Sequence, residues 1–464
     1  MKRNEERKDA MSKPPVMPDA PRATPPVTTP VTARGVALVA LERIENGAFS
    51  NLVLPPLLRG SGLDARDRAF ATDLVYGTVR RRRALDFLLT PRSSQALARL
   101  EPVVRAALRM GTYQLLDGVP AHAAVGETVT AVAGIAPAAR GYVNGVLRAV
   151  ARAGPPWPWP DGDGTEALGV RYSQPDWIVA MLVGQFGAEI ASAVLSTADS
   201  APAVTLRVNG KRSTAEAVEA ELVDTGVRVE RGRLLADALV TTGLGDVGAL
   251  PAVRDGRATP QDQASQAVAR IVAAHLGSGA RVLDVAAAPG GKATAIAELK
   301  DGVLVVAGDV NPSRAARIAM TATRLGLANV VPIVADGRRP PVQPGSCDAV
   351  LLDAPCTGLG VLRRRPDARW RLDPGDVETL AALQRELLAA VAPAVRVGGR
   401  LIYAVCTYSD AETLGVDEWA ETHLAGFRAV DPPPAPWRPH GRGALLLPSD
   451  ADTDGMFVLT LERA

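Results

Sequence analysis

The chain has 464 residues, 47% of them hydrophobic and 22% charged, which predicts two or three globular domains rather than one compact unit. A formal net charge of +2 is too small to mark a nucleic-acid binder by itself, so any such reading has to rest on local basic clusters. The three cysteines, 347, 356 and 406, form no C-x-x-C pair and indicate neither a disulfide framework nor a zinc site.

Residues 1–32 mix charges, proline and threonine without periodicity, a composition expected to stay disordered, and they carry no signal-peptide-like apolar stretch. No apolar run reaches the roughly 18 residues that a bilayer span needs, so a cytoplasmic protein without membrane or metal partners, acting as a monomer, is expected. From Ala33 apolar residues recur at helical spacing (Val36, Ala40, Ile44; then Val104, Leu108, Leu115), which predicts an all-helical domain over 33–152. The run AGPPWPWPDGDG suits neither helix nor strand and sets a linker at 153–168. Residues 169–255 read as a small mixed α/β module with a helix over 176–186 and a strand over 204–208.

From about Gly256 to the end, apolar runs alternate with helical segments: RVLDVA at 281, VLVVAGD at 303, VVPIVAD at 330, DAVLLDAP at 348 and GGRLIYAVC at 398. Strand, loop and helix in repetition predict a Rossmann-like, mostly parallel sheet that binds ligands at the carboxyl ends of its strands.

The informative residues fall at those ends. Asp284 closes the first strand and Ala287-Ala288-Pro289-Gly290-Gly291-Lys292 follows, after which a helix begins. The glycines let backbone approach a ligand, and the helix N-terminus offers N–H groups to a carboxylate. Neither GxGxxG nor GxxxxGK[ST] is present, which removes the main support for nicotinamide and triphosphate ligands. Asp309 ends the second strand, where a carboxylate accepts from two ribose hydroxyls, and Asp336 ends the third, within reach of an adenine amino group. An adenosine ligand without a phosphate motif is best read as S-adenosyl-L-methionine.

Strands four and five run into Asp353-Ala354-Pro355-Cys356 and Ala404-Val405-Cys406, which puts two cysteines on one rim. A thiolate that adds to C6 of a cytosine turns the unreactive C5 into an enamine-like carbon able to take a methyl group. Such a cysteine needs positive charge or donors nearby, and an acid such as Asp353 beside N3 and N4 favours the addition. The spacing leaves open which cysteine attacks. Cys347, before the fourth strand, reads as structural.

DVAAAPGGKA, DAPCTGLG with RRRPDARW, and YAVCTYSDAE resemble the motifs of the RNA (cytosine-5)-methyltransferase family, of the RsmB (Sun/Fmu) type. Upstream, LDARDRAFATDLVYGTVRRRRALDFLL and YVNGVLRAV resemble the NusB-like RNA-binding domain of that type; VTLRVN, QDQASQAV and the closing DGMFVLTL also match, so the likeness spans about 33–464. The resemblance implies that Cys406 is the nucleophile and that Cys356 promotes product release. It places the cofactor contacts on Ala286, Ala287, Ala288, Pro289, Gly290, Gly291, Lys292, Asp309, Asp336 and Asp353, with Lys292 also polarising the base. Ala286 stands where many relatives have cysteine, and Gln174 where they usually have histidine.

The implied function is methylation of C5 of a cytosine in small-subunit (16S-type) ribosomal RNA; transfer RNA as substrate and a non-catalytic NusB-like binding factor are the alternatives. Of the densest basic clusters, Arg80–Arg83 reads equally as a solvated helix face or an RNA contact, whereas Arg363–Arg365, directly after the Cys356 loop, is expected to meet phosphates. Trp370 is read either as a base-stacking or as a core residue. The target base has to be unpaired or flipped for its C6 to meet a thiolate.

Overall fold

The computed structural model describes residues 32–464. The expected disordered tail lies outside the described residues, apart from Thr32, whose hydroxyl caps the first helix by accepting from Gly35 N at 3.1 Å.

Seven α-helices form the first domain: α1 (Ala33–Glu45), α2 (Ser50–Gly60), α3 (Ala65–Arg80), α4 (Arg82–Leu89), α5 (Pro102–Leu116), α6 (Ala121–Ala133) and α7 (Arg140–Ala153). Leu38, Leu74, Leu85, Leu108, Val132 and Leu147 each bury one helix's apolar stripe in a common core. Gly77 lets α3 approach α5 closely, since a Cβ there would lie 2.1 Å from the Tyr113 ring. The proline-rich stretch that follows is no free spacer. Trp157 packs against the helical core, and the Trp159 ring lies 6.3 Å from that of Phe87.

Next come α8 (Thr165–Arg171) and α9 (Asp176–Asp199). The latter joins two helical segments across Gly187, so the helix expected over 176–186 is present and a second segment follows it. Taken together the two satisfy the length and composition of a membrane span, where none is expected from the sequence. Gly187, at φ 78°, breaks it, and Ile178, Val179, Leu182, Val194 and Leu195 are buried against the large sheet described below. Its apolarity thus serves a packed interior.

The middle module proper is a four-stranded antiparallel sheet of β1 (Val204–Val208), β2 (Arg228–Arg231), β3 (Leu239–Thr242) and β4 (Ala258–Pro260) in the order β2-β3-β1-β4. Helix α10 (Ala215–Asp224) covers it through Val218 and Leu222. Because Val208 of β1 pairs with Ala258 of β4, the expected division near residue 256 cuts through this sheet. The strand is invisible in the sequence because three residues are too few to show alternation.

After α11 (Pro251–Arg254) and α12 (Gln263–Ala273), the large sheet takes β5 (Arg281–Asp284), α13 (Gly291–Leu299), β6 (Leu304–Asp309), α14 (Pro312–Leu325), β7 (Val330–Val334), β8 (Cys347–Asp353), α15 (Pro374–Val391), β9 (Val395–Val405), α16 (Leu414–His423), β10 (Phe427–Ala429), β11 (Arg438–His440), β12 (Gly443–Leu446), α17 (Pro448–Ala451) and β13 (Met456–Arg463). Its order is β11-β12-β13-β9-β8-β5-β6-β7, with β10 beside β13. Strands β5 to β9 pair in parallel, and β13 inserts antiparallel against β9, Val405 facing Phe457. The chain turns first to one side of β5 and then to the other, so the crevice of such a sheet opens at the end of β5. Cys347 is 4% exposed at the start of β8, in keeping with a structural role.

Candidate active site

The loop after β5 is shaped by its own backbone. Ala287 N–H donates to Gly308 O at 2.8 Å, Gly290 N–H to Ala287 O at 2.7 Å, and Gly290 adopts φ +102°, a left-handed conformation that β-carbon-bearing residues avoid. The loop delivers Ala286–Gly291 to the mouth of the crevice and points the first turn of α13, whose N–H groups have no helical acceptor, towards it. Lys292, in that turn, donates to Asp353 Oδ2 at 2.6 Å across to the end of β8. Burial works to lower the Lys292 ammonium, but Asp353, Cys406 and Asp284 outweigh it and hold it raised.

Asp284 completes this cluster. It is 0% exposed, neither carboxylate oxygen has a hydrogen-bond partner among the described residues, and burial together with the charge of Asp353 pushes its pKa up to about 8. In the sequence it closes the first strand without a legible role, because an aspartate at a strand end is commonly a turn former.

The two cysteine loops meet beside Lys292. Cys356 Sγ lies 3.3 Å from Cys406 Sγ. Their fields differ: a hydrogen bond from Cys356 lowers Cys406, helped by Lys292 and Arg365, whereas Cys356 is held well above the usual thiol range by its bond to Cys406, by burial and by the charges of Cys406 and Glu412. The loops are packed without slack, Gly360 N–H donating to Cys406 O at 3.0 Å and Gly455 N–H to Gly360 O at 2.9 Å. A Cβ on Gly360 would sit 2.3 Å from Gly455 O, so only glycine fits.

The structure therefore brings Lys292, Asp353, Cys356 and Cys406 together, with the Ala286–Gly291 loop beside them. Asp309 and Asp336 stand further along the same edge, near the ends of β6 and β7. Asp309, 5% exposed, engages Asn311 N and Arg314 through Oδ1 alone, which leaves Oδ2 uncommitted among the described residues. Both oxygens of Asp336 accept from Arg338, whose hydrogen bonds lower this carboxyl. Neither arginine is anticipated by the sequence, since each lies outside the family motifs.

The expected phosphate contact of Arg363–Arg365 is corrected. Arg363 is 4% exposed and pairs with Asp452, and Arg364 reaches Asp454 at 2.8 Å and Asp262 at 2.7 Å; only Arg365 is exposed. The reason is electrostatic: Asp262 and Asp454 are buried carboxyls that need compensation. The run Arg80–Arg83 is likewise committed, Arg81 to Asp199 at 2.6 Å, Arg83 to Asp176 at 2.7 Å, and Arg82 over the Trp370 ring at 5.3 Å. Trp370 packs, its Nε1 donating to Val79 O at 2.9 Å. Gln174 is buried, and no partner for its amide is present among the described residues.

A parallel sheet that reverses order at β5, closed by an antiparallel β13, with a glycine-rich loop at the switch and acids on successive strand ends, defines a Rossmann-like, S-adenosylmethionine-dependent methyltransferase. Comparisons with known proteins narrow the class. Residues 272–462 match the 16S rRNA methyltransferase RsmB/F family, 31–152 the NusB family, and 174–247 an RsmF/B-like, ferredoxin-like domain. A Mycobacterium tuberculosis protein named as a methyltransferase is 39% identical over 96% of this chain and 99% of its own. Ribosomal RNA small subunit methyltransferase B of Sodalis glossinidius is 34% identical over 92% of this chain and 95% of its own. The crystal structure of PH0851 superposes with a TM-score of 0.80 at 26% identity, covering 93% of this chain and 99% of that one. The chain belongs to the RsmB/F methyltransferase family.

Proposed function

We propose that this protein methylates C5 of a cytosine in small-subunit (16S-type) ribosomal RNA, with Cys406 as nucleophile. The observation that carries the reading is the cysteine pair, 3.3 Å apart, in which the hydrogen bond from Cys356, with Lys292 and Arg365, lowers Cys406 against burial and Asp353, while Cys356 is held raised. A lowered thiol beside cations is the one able to attack.

The residues at the crevice fit S-adenosylmethionine. Asp309 offers a free oxygen for ribose hydroxyls, Asp336 lies at the adenine end, the N–H groups of α13 suit the carboxylate, and the unpartnered Asp284, with Asp353, suits a cationic group. When bound, the cofactor supplies an electrophilic methyl group. The chain's own residues do the rest. Cys406 adds to C6 of the base, while the Lys292–Asp353 pair faces N3 and N4, the ammonium holding the proton that the addition requires and the carboxylate accepting from the amino group. After methylation the C5 proton passes to solvent, the electron pair it leaves re-forms the C5–C6 double bond, and the S–C6 bond breaks with its electrons on the Cys406 sulfur. Cys356, still a thiol, donates to the departing sulfur and eases its release.

Methyl transfer from labelled S-adenosylmethionine to protein-free small-subunit RNA, followed by nucleoside analysis, tests the reaction. Labelled 5-methylcytosine is expected; label confined to transfer RNA overturns the substrate but keeps the chemistry. Denaturing electrophoresis tests the roles. Cys356→Ala should accumulate a covalent RNA adduct and Cys406→Ala should form none, and the reverse pattern exchanges the two.

A further inference from the structure

Behind the cysteine pair lies Glu412, 0% exposed, six residues after Cys406 in the segment CTYSDAE. One carboxylate oxygen accepts from Thr357 N at 2.9 Å and from Gln384 Nε2 at 3.0 Å. The other accepts from the Thr357 hydroxyl at 2.6 Å and the Ser409 hydroxyl at 2.7 Å, and lies 3.1 Å from that of Thr407. Burying a charge without a paired cation is costly unless hydrogen bonds replace its water, and here donors surround both oxygens.

The placement of those donors is specific. Thr357 follows Cys356 and Thr407 follows Cys406, and the two threonine hydroxyls lie 2.9 Å apart. Gln384, on α15, turns its amide also to Pro355 O at 2.9 Å, and its carbonyl lies 2.8 Å from the Tyr403 hydroxyl. The Thr357 N–H and hydroxyl and, through Gln384, Pro355 O tie Glu412 to the Cys356 loop, and the Thr407 and Ser409 hydroxyls tie it to the Cys406 loop. Its charge raises Cys356, whereas that of Lys292 lowers Cys406.

We propose that Glu412 is a positioning residue that decides which sulfur of the pair carries the negative charge. It clamps the two loops in register, holds Cys356 as the thiol that donates, and leaves Cys406 as the thiolate that attacks. The proposal rests on the roles assigned to the cysteines above. A structural acid alone would affect stability and nothing else.

The test is a short pulse of iodoacetamide on the full chain at pH 7.5, read cysteine by cysteine by peptide mass spectrometry, with Tm measured alongside. Alkylation follows the thiolate, so the wild type should label Cys406 at least about tenfold over Cys356. Glu412→Gln, of the same shape without the charge, should lower that ratio about tenfold and reduce kcat with little change in KM for the cofactor. Glu412→Asp, which keeps the charge, should recover part of the preference. If Glu412→Gln fails to fold, Thr357→Val, which cuts one hydroxyl link to the Cys356 loop, is read by the same ratio and should also lower it. A folded variant that keeps the wild-type ratio overturns the role of Glu412. A wild type that labels Cys356 first overturns instead the assignment of the nucleophile.

Discussion

Two acids at the ends of neighbouring strands, Asp284 and Asp353, share one lysine, and this shortage of positive charge governs how the site titrates. Asp353 takes the hydrogen bond from Lys292. Asp284, buried and unpartnered, has its pKa pushed from 3.8 to about 8. Its sign follows from linkage: between about pH 4 and 8 the native protein holds a proton that the unfolded chain has released, so stability falls as pH rises through that window and levels off above it. Each tenfold difference in proton affinity between the native and unfolded chain is worth roughly 1.4 kcal/mol, so the loss is on the order of a few kcal/mol. Asp284→Asn removes the titration. Urea unfolding at pH 5 and pH 8.5 should show the variant more stable than wild type at the higher pH and nearly equal at the lower. Parallel profiles for the two proteins would mean that Asp284 is already ionised in the native state.

At the scale of elements, the loop from Cys356 to Trp370 shows why charge runs are hard to read in one dimension. Three consecutive arginines suggest a phosphate contact, yet Arg363 and Arg364 compensate Asp262 and Asp454, acids about 100 positions away in one direction and 90 in the other. The large parallel strands are legible because each carries an apolar run, three of them (β5, β6 and β8) ending in Asp, and the cysteine loops because their motifs are local. Glu412 lies inside a family motif without a legible role, since its partners come from the loop after β8, α15 and its own turn. β4 escapes the sequence because it is too short to show a period, and the second segment of α9 because Gly187 separates it from the first, which is as expected. The exposed Arg365 is left as the basic residue of this run facing outward. Arg365→Ala should therefore weaken RNA binding and reduce the slope of log affinity against log salt by about 0.7–1. Arg363→Ala should leave that slope unchanged while lowering Tm. Filter binding at several salt concentrations separates the two, and equal slopes for wild type and Arg365→Ala would remove the arginine from the RNA path.

For the whole molecule, the question is how the helical domain is held relative to the cysteines. Besides the Arg81–Asp199 and Arg83–Asp176 pairs, a short segment, Asp367–Arg371, which continues from the Cys356 loop, makes the contact. Ser50 donates to Asp367 at 2.6 Å, Trp370 to Val79 O at 2.9 Å, and Arg371 to Gly47 O at 2.8 Å, with its guanidinium 4.1 Å from the Phe49 ring centre. Arg369, behind them, is 0% exposed and donates to the carbonyls of Ser173, Ala198 and Leu362, which ties α9 to the same segment. On the function proposed above, RNA gripped by the helical domain would thereby be presented at a fixed distance from Cys406. Trp370→Ala removes the ring that fills this joint, a loss on the order of 3–5 kcal/mol for a buried tryptophan and less for one partly exposed. Calorimetry should then resolve a separate, earlier transition for the helical domain, and KM for RNA should rise about tenfold while KM for the cofactor holds. The split matters because the crevice lies away from the joint: a general loss of folding would shift all parameters together, whereas a loosened joint disturbs only the ligand that spans both domains. A single transition with an unchanged KM for RNA would show that the helical domain plays no part in presenting the substrate.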